Sequence, residues 1–224
     1  MRRSVLLLVA LVALVATACD GNGGPPDFEV SDTPTASTPG PSASASSPTP
    51  TDSPSEAPSA IETVAPSEGP TSYGDYTTVS DDSGALEVDV PTAWSDVDGG
   101  ATDVGPAVSA APDVDAFIDG WETSGVIFIA SREVGDDIDA LLDQYAYEQC
   151  TQDAAEDYSD GEYTGKTRIG RDCGDTDTTI VVIAATKDDD PAITVLVIVQ
   201  LTVAADNEAL DRIETTFRVV GAVE

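Results

Sequence analysis

The sequence predicts an α+β domain over residues 73–224, an antiparallel sheet flanked by helices, carried behind a disordered Ser/Thr/Pro-rich stalk. Three observations predict it. Short runs of alternating apolar residues are separated by turn-forming residues, the pattern of hairpins. Apolar residues spaced three and four apart return at three places, the pattern of helices that bury one face against a sheet. Composition changes abruptly near residue 73, and the 152 residues that follow suffice for one core but scarcely two.

Residues 76–79 and 85–90 read as a strand pair in which Leu86, Val88 and Val90 alternate with Glu87 and Asp89. Pro91 ends the second strand. Residues 107–111 form a weaker strand after Gly105-Pro106, and Asp113 caps a short helix over 114–121. Residues 126–130 are continuously apolar, so that strand is central and covered on both faces.

Asp136 or Asp137 starts a longer helix running to about Cys150. Ile138, Leu141, Leu142 and Tyr145 line its apolar face, and Tyr147 falls off it. Residues 163–169 form a polar strand leading to Cys173. Residues 179–185 and 193–203 are β-branched strands joined by a turn at 187–191. Asp206 caps a last helix with Leu210, Ile213 and Phe217 inward; Glu208 with Arg212 and Glu214 with Arg218 have i,i+4 ion-pair spacing. The order is β-β-β-α-β-α-β-β-β-α.

The N-terminus has a different character. Arg2-Arg3, an apolar run from residue 5 to 15 and the small residues Ala16-Thr17-Ala18 are the parts of a secretory signal peptide. The run is shorter than the ~20 residues a spanning helix needs. Cys19 directly after the small residues resembles the lipobox of bacterial lipoproteins, with Ala16 where Leu is usual. That resemblance implies removal of residues 1–18, diacylation of Cys19 and an anchor on the extracytoplasmic face of the cell membrane. The alternative is an ordinary secretory signal followed by an incidental cysteine.

Residues 20–72 contain 29 Ser, Thr or Pro in 53 positions, no Lys or Arg, and Phe28 as their one aromatic residue. Such a segment buries too little apolar surface to offset the entropy of ordering. Its expected reach is ~40 Å as a coil and ~160 Å as extended polyproline.

The chain has 42 acidic and nine basic residues, a formal net charge of −33, and the signal segment would take Arg2 and Arg3 with it. Such a charge argues against nucleic acid and anionic lipid headgroups as partners, because phosphate recognition needs clustered cations. A basic partner, or solubility alone, is compatible with the charge. Histidine is absent, which removes Ser-His and Cys-His pairs and His metal ligands. No P-loop, dinucleotide fingerprint or nucleophile elbow occurs, so neither nucleotide nor other cofactor is expected.

With Cys19 assigned to lipid, Cys150 and Cys173 remain, and outside the membrane they are expected to form a disulfide. Closing a loop of about 24 residues stabilises by roughly 3 kcal/mol in the chain-entropy model. A catalytic thiol would lack an activating base.

The segment 76–94, a hairpin followed by Val90-Pro91-Thr92-Ala93-Trp94, resembles the start of extracytoplasmic modules in actinobacterial lipoproteins. Similar modules are appended to actinobacterial Ser/Thr kinases and trypsin-like proteases. Gly120-Trp121, Gly165-Lys166-Thr167, Cys173-Gly174 and the closing helix continue the resemblance to about residue 220. It implies the PsbP-like α/β/α sandwich and a non-catalytic binding or assembly role, and it carries no functional residue across.

Asp172 to Asp177 could suggest a calcium loop but reads as a turn, as Asp188-Asp189-Asp190 reads as a hairpin tip. No metal site is expected. Trp94 and Trp121 read as core, with the lining of a ligand cleft as the alternative, and Tyr145, Tyr147, Tyr158 and Tyr163 are the better candidates for exposed contacts. The resulting expectation is a lipid-anchored, non-enzymatic acidic domain that binds a protein or cell-envelope ligand. The alternatives are a hydrolase working through carboxylates alone and a passive envelope assembly protein. Two buried carboxylates in a pocket would favour the hydrolase; an exposed apolar or tyrosine patch on the sheet would favour partner binding.

Overall fold

The structure, a computed structural model, describes residues 69–223. The signal segment, Cys19 and the stalk up to residue 68 lie outside the described residues. The chain engages the domain from Pro70, three residues before the expected start. The Pro70 carbonyl accepts from Ala205 N at 3.1 Å, and Ser72 Oγ donates to Glu208 at 2.7 Å.

Strands β1 (Tyr76–Ser80) and β2 (Leu86–Pro91) form the expected hairpin, with Tyr76 opposite Pro91 and Ser80 opposite Glu87. Asp81 shapes its turn: one carboxylate oxygen accepts from Leu86 N at 2.7 Å and the other from Ser83 N at 2.9 Å. Next come β3 (Asp96–Asp98), β4 (Ala107–Ala111), α1 (Val114–Asp119), β5 (Gly125–Ser131) and α2 (Ile138–Gln144). Then follow β6 (Thr151–Gln152), β7 (Glu156–Ser159), β8 (Tyr163–Cys173), β9 (Thr178–Lys187) and β10 (Asp190–Leu201). Helix α3 (Asp206–Glu214) and β11 (Arg218–Val219) close the domain.

All strand pairings are antiparallel. The large sheet runs β3-β4-β5-β10-β9-β8-β6, with β7 also on β8; a second sheet runs β1-β2-β11. Among the described residues the fold is thus mostly antiparallel sheet with three short helices, more strand and less helix than the sequence suggests. The unforeseen strands β3, β6, β7 and β11 have two to four residues each, too few to register an alternating pattern.

Side-chain alternation divides the large sheet into two faces. Val195, Val197, Val199 and Leu201 of β10, with Val181 and Ile183 of β9, point into the main core. There they meet Leu86, Val88 and Val90 of the small sheet and Leu210 and Ile213 of α3. Leu196, Ile198, Ile180 and Val182 point the other way, toward Leu141 and Leu142 of α2. Strand β5 is central, as expected, between β4 and β10, but it is not covered on both faces: Ile127 and Ile129 on its outer side are only half-buried.

Several expectations are corrected. Helix α2 stops at Gln144 rather than near Cys150. The chain then turns so that Gln149 O accepts from Gly174 N at 3.0 Å and Cys150 reaches Cys173, Cα to Cα 4.1 Å. A continued helix could not make these contacts.

Asp206 does not cap α3 from outside; Ala205 occupies that position and makes no side-chain cap. Asp206 instead grips the preceding turn, accepting from Thr202 N and Val203 N at 2.7 and 2.8 Å, Ser124 Oγ at 2.6 Å and Tyr73 OH at 2.5 Å.

Phe217 lies beyond α3 but is buried against Phe128 and Tyr163. The two i,i+4 pairs do not form. Arg212 bonds Asp89 at 2.7 Å and Arg218 bonds Glu87 at 3.0 Å, because β2 presents these alternating carboxylates beside α3 and β11.

Tyr163 is not an exposed contact but fully buried, and its hydroxyl accepts from Val219 N at 2.9 Å. Trp94 is core as expected, with Nε1 donating to Tyr73 OH at 3.3 Å. The hairpin joining β9 to β10 turns at Asp188-Asp189, a shorter turn than expected, because both strands extend further.

Candidate functional site

A groove of about 360 Å³ lies on the face of the large sheet opposite the main core, between α1 and the segment that follows α2. Ile127 of β5, Ile198 and Gln200 of β10 and Ile180 of β9 form its floor. These are register neighbours, Ile127 opposite Ile198 and Gln200 opposite Ile180, so the floor is continuous. It stays open because α1 and α2 are short and cover different parts of the sheet.

One wall is α1. Asp113 Oδ1 caps it by accepting from Ala116 N at 2.9 Å. Val114 and Phe117 are buried, and Ile118, 53% exposed, stands at the rim with Asp119. The loop after α1 is tied to the sheet: Gln200 Nε2 donates to Gly120 O at 3.0 Å and Thr123 O at 2.8 Å. Thr178 Oγ1 donates to Trp121 O. A buried glutamine thus spends its amide donors holding the loop in place.

Trp121, Tyr147 and Gln149 make the opposite wall. The Trp121 and Tyr147 rings meet edge to face with centroids 5.5 Å apart. Burial, followed by the neighbouring Tyr145, pushes the Tyr147 hydroxyl up to about 12, so it stays protonated at any physiological pH. Trp121 also rests against Gly174 beside the disulfide. Cys150 and Cys173 are bonded, as expected, and their bridge stands behind this wall.

Trp121 is half-buried: it packs against the core on one side and lines the groove on the other, so the cleft alternative describes it better than a core position alone. Tyr145, Tyr147 and Tyr158 are also half-buried rather than protruding.

The carboxylates that burial singles out lie elsewhere. Asp206 is fully buried and satisfied by the four donors described above. Glu214 is pushed up to about 7, first by burial and then by Asp211 and Asp160, and its Oε1 has no hydrogen-bond partner. Neither borders the groove, whose one carboxylate-bearing lining residue is Asp119. The Asp172-to-Asp177 segment is the end of β8 and the tight turn that joins it to β9, with Asp172, Gly174 and Asp175 at positive φ. Asp189 and Asp190 pair with Lys187 and Arg132. Among the described residues no group of three acidic or thiol side chains is placed to hold a metal ion.

No family model and no curated protein matches this chain. The groove must therefore speak for itself.

Trp121, Tyr147 and both cysteines stand out in the sequence, whereas nothing in it marks Ile118, Ile127, Ile180 or Ile198 as groove residues. Gln200 offered the available signal: it is the one amide side chain in an otherwise apolar run.

Proposed function

We propose that this protein is a tethered, non-enzymatic binding module that presents its acidic domain outside the cell membrane and takes a protein or cell-envelope ligand in the apolar groove. The carrying observation is a continuous isoleucine floor between two aromatic-bearing walls, with few polar groups directed into it. Concave, mainly apolar sites of this size are where proteins bind ligands. A membrane-attached lipoprotein bearing a PsbP-like sandwich agrees with the signal segment, the Cys19 motif and helices on the outer face of an antiparallel sheet. The hydrolase reading draws no support from Asp206 or Glu214, which lie away from the groove.

The test uses the neutral fluorophore N-phenyl-1-naphthylamine and the chain as secreted. Its emission is expected to rise on mixing and to lose most of that rise with Ile118→Asp at the rim. Val97→Ser, which alters an exposed apolar residue elsewhere, should leave the signal unchanged. No rise with the parent chain, or equal losses in both variants, would overturn the proposal.

A further inference from the structure

We infer that the groove is built for a protein segment in which a large apolar side chain is flanked by lysines or arginines. This rests on the binding role just proposed and adds the chemistry of the partner. The cavity is at the low end of the ~300–1,000 Å³ range of ligand pockets, which suits one or two large side chains.

Its margins are acidic without compensation. Asp119 lines it; Glu122, next to Trp121, and Glu148, between Tyr147 and Gln149, are exposed beside its walls. None of the three takes part in an ion pair among the described residues.

Nor, among the described residues, is there a spare cation to offset them. Arg132, Lys166, Arg168, Arg171, Lys187, Arg212 and Arg218 each pair with a carboxylate elsewhere. No Lys or Arg occurs from residue 4 to residue 131, a stretch that contains α1, Trp121 and Ile127. A second copy of this chain would bring like charge to the groove, whereas a basic segment would bring complementary charge. The apolar centre supplies the affinity through burial, and the flanking cations supply selectivity and speed of encounter.

Three peptides of equal length test this on the chain as secreted. One has a Leu-Phe-Leu centre with lysine flanks, one has the same centre with glutamate flanks, and one has an Ala-Ala-Ala centre with lysine flanks. Calorimetry should give the first an affinity at least ~10-fold above either other, narrowing as salt rises from about 20 to about 300 mM. Asp119→Asn/Glu122→Gln/Glu148→Gln should reduce its advantage over the glutamate peptide to ~3-fold or less. Asp103→Asn/Glu133→Gln/Glu156→Gln, which removes as many exposed carboxylates elsewhere, should preserve it.

Equal affinities for the first two peptides would overturn the inference. So would an alanine-centred peptide that binds as well as the first, or equal losses in the two triple variants, which would signal bulk attraction alone. If naphthylamine enters the groove while the peptides do not discriminate, only the partner's chemistry falls. If naphthylamine stays out, the binding role falls with it.

Discussion

Gly174 lies flat against the indole of Trp121: a Cβ built on Gly174 would sit 2.0 Å from Trp121 Cδ1. The same glycine has φ +62°, a conformation that a β-carbon disfavours by about 1–2 kcal/mol. Gly174→Ala is therefore strained in two ways. It should lower stability by about 2 kcal/mol or more and displace Trp121, shifting indole fluorescence. Urea unfolding and emission spectra check both effects.

The bridge between Cys150 and Cys173 spans 23 positions and fixes the tyrosine-bearing wall to the end of β8. Replacing both cysteines by serine should cost about 3 kcal/mol, less whatever structure the unfolded chain retains. It should also weaken naphthylamine binding, because the Tyr147 wall is no longer held to the sheet. Comparing urea midpoints and probe titrations with and without reductant provides the check.

Glu214 binds its proton more tightly when folded than when unfolded, since burial and neighbouring carboxylates disfavour its charge. Between about pH 4.5 and about 7 the folded state holds the extra proton, so stability falls as pH rises through that window. Glu214→Gln should flatten this slope, by about 1–2 kcal/mol once partial exposure is allowed for. Unfolding free energies across that window measure it.

Asp81 has the opposite sign. Burial alone would raise it, but hydrogen bonds from Ser83 and from the Leu86 and Ala85 amides outweigh burial and hold it below the usual aspartate value of 3.8. Its contribution is present above that value and lost as pH falls through the lower, folded one. Asp81→Ala leaves the Leu86 and Ser83 amides without their partner and should cost roughly 1–3 kcal/mol at neutral pH. Thermal melts at neutral and at strongly acid pH separate this loss from that at Glu214.

Cys19→Ala should send an intact, folded domain into the medium of the producing cells. Fractionation followed by detection of the domain reads the outcome; retention in the membrane fraction would exclude Cys19 as the anchor.

The long strands were legible because their apolar residues alternate or run unbroken, as in Leu86-Glu87-Val88-Asp89-Val90 and from Ile193 to Leu201. The cap at Asp113 was legible, and that of α2 to within Asp136 or Asp137, because an N-cap is a local device; Asp113 and Asp137 each accept from the amide three residues on. The early end of α2 was not, because apolar spacing continues to Tyr145 and only the distant Cys173 draws the chain aside. The partners of Arg212 and Arg218 were hidden for the same reason: Asp89 and Glu87 lie more than a hundred residues away in sequence. The groove was the least legible feature. Its floor comes from three strands, and no local pattern says that the helices above them will leave a gap.

The stretch without lysine or arginine from residue 4 to residue 131 has a practical side. Trypsin finds no bond to cut in the first 63 described residues, nor in the segment that links them to Cys19. If Cys19 carries the anchor proposed above, a cell-surface shaving experiment with that protease would leave the domain attached and report it as shielded. Glutamate-directed cleavage, by contrast, has sequence sites at Glu29, Glu56, Glu62 and Glu68.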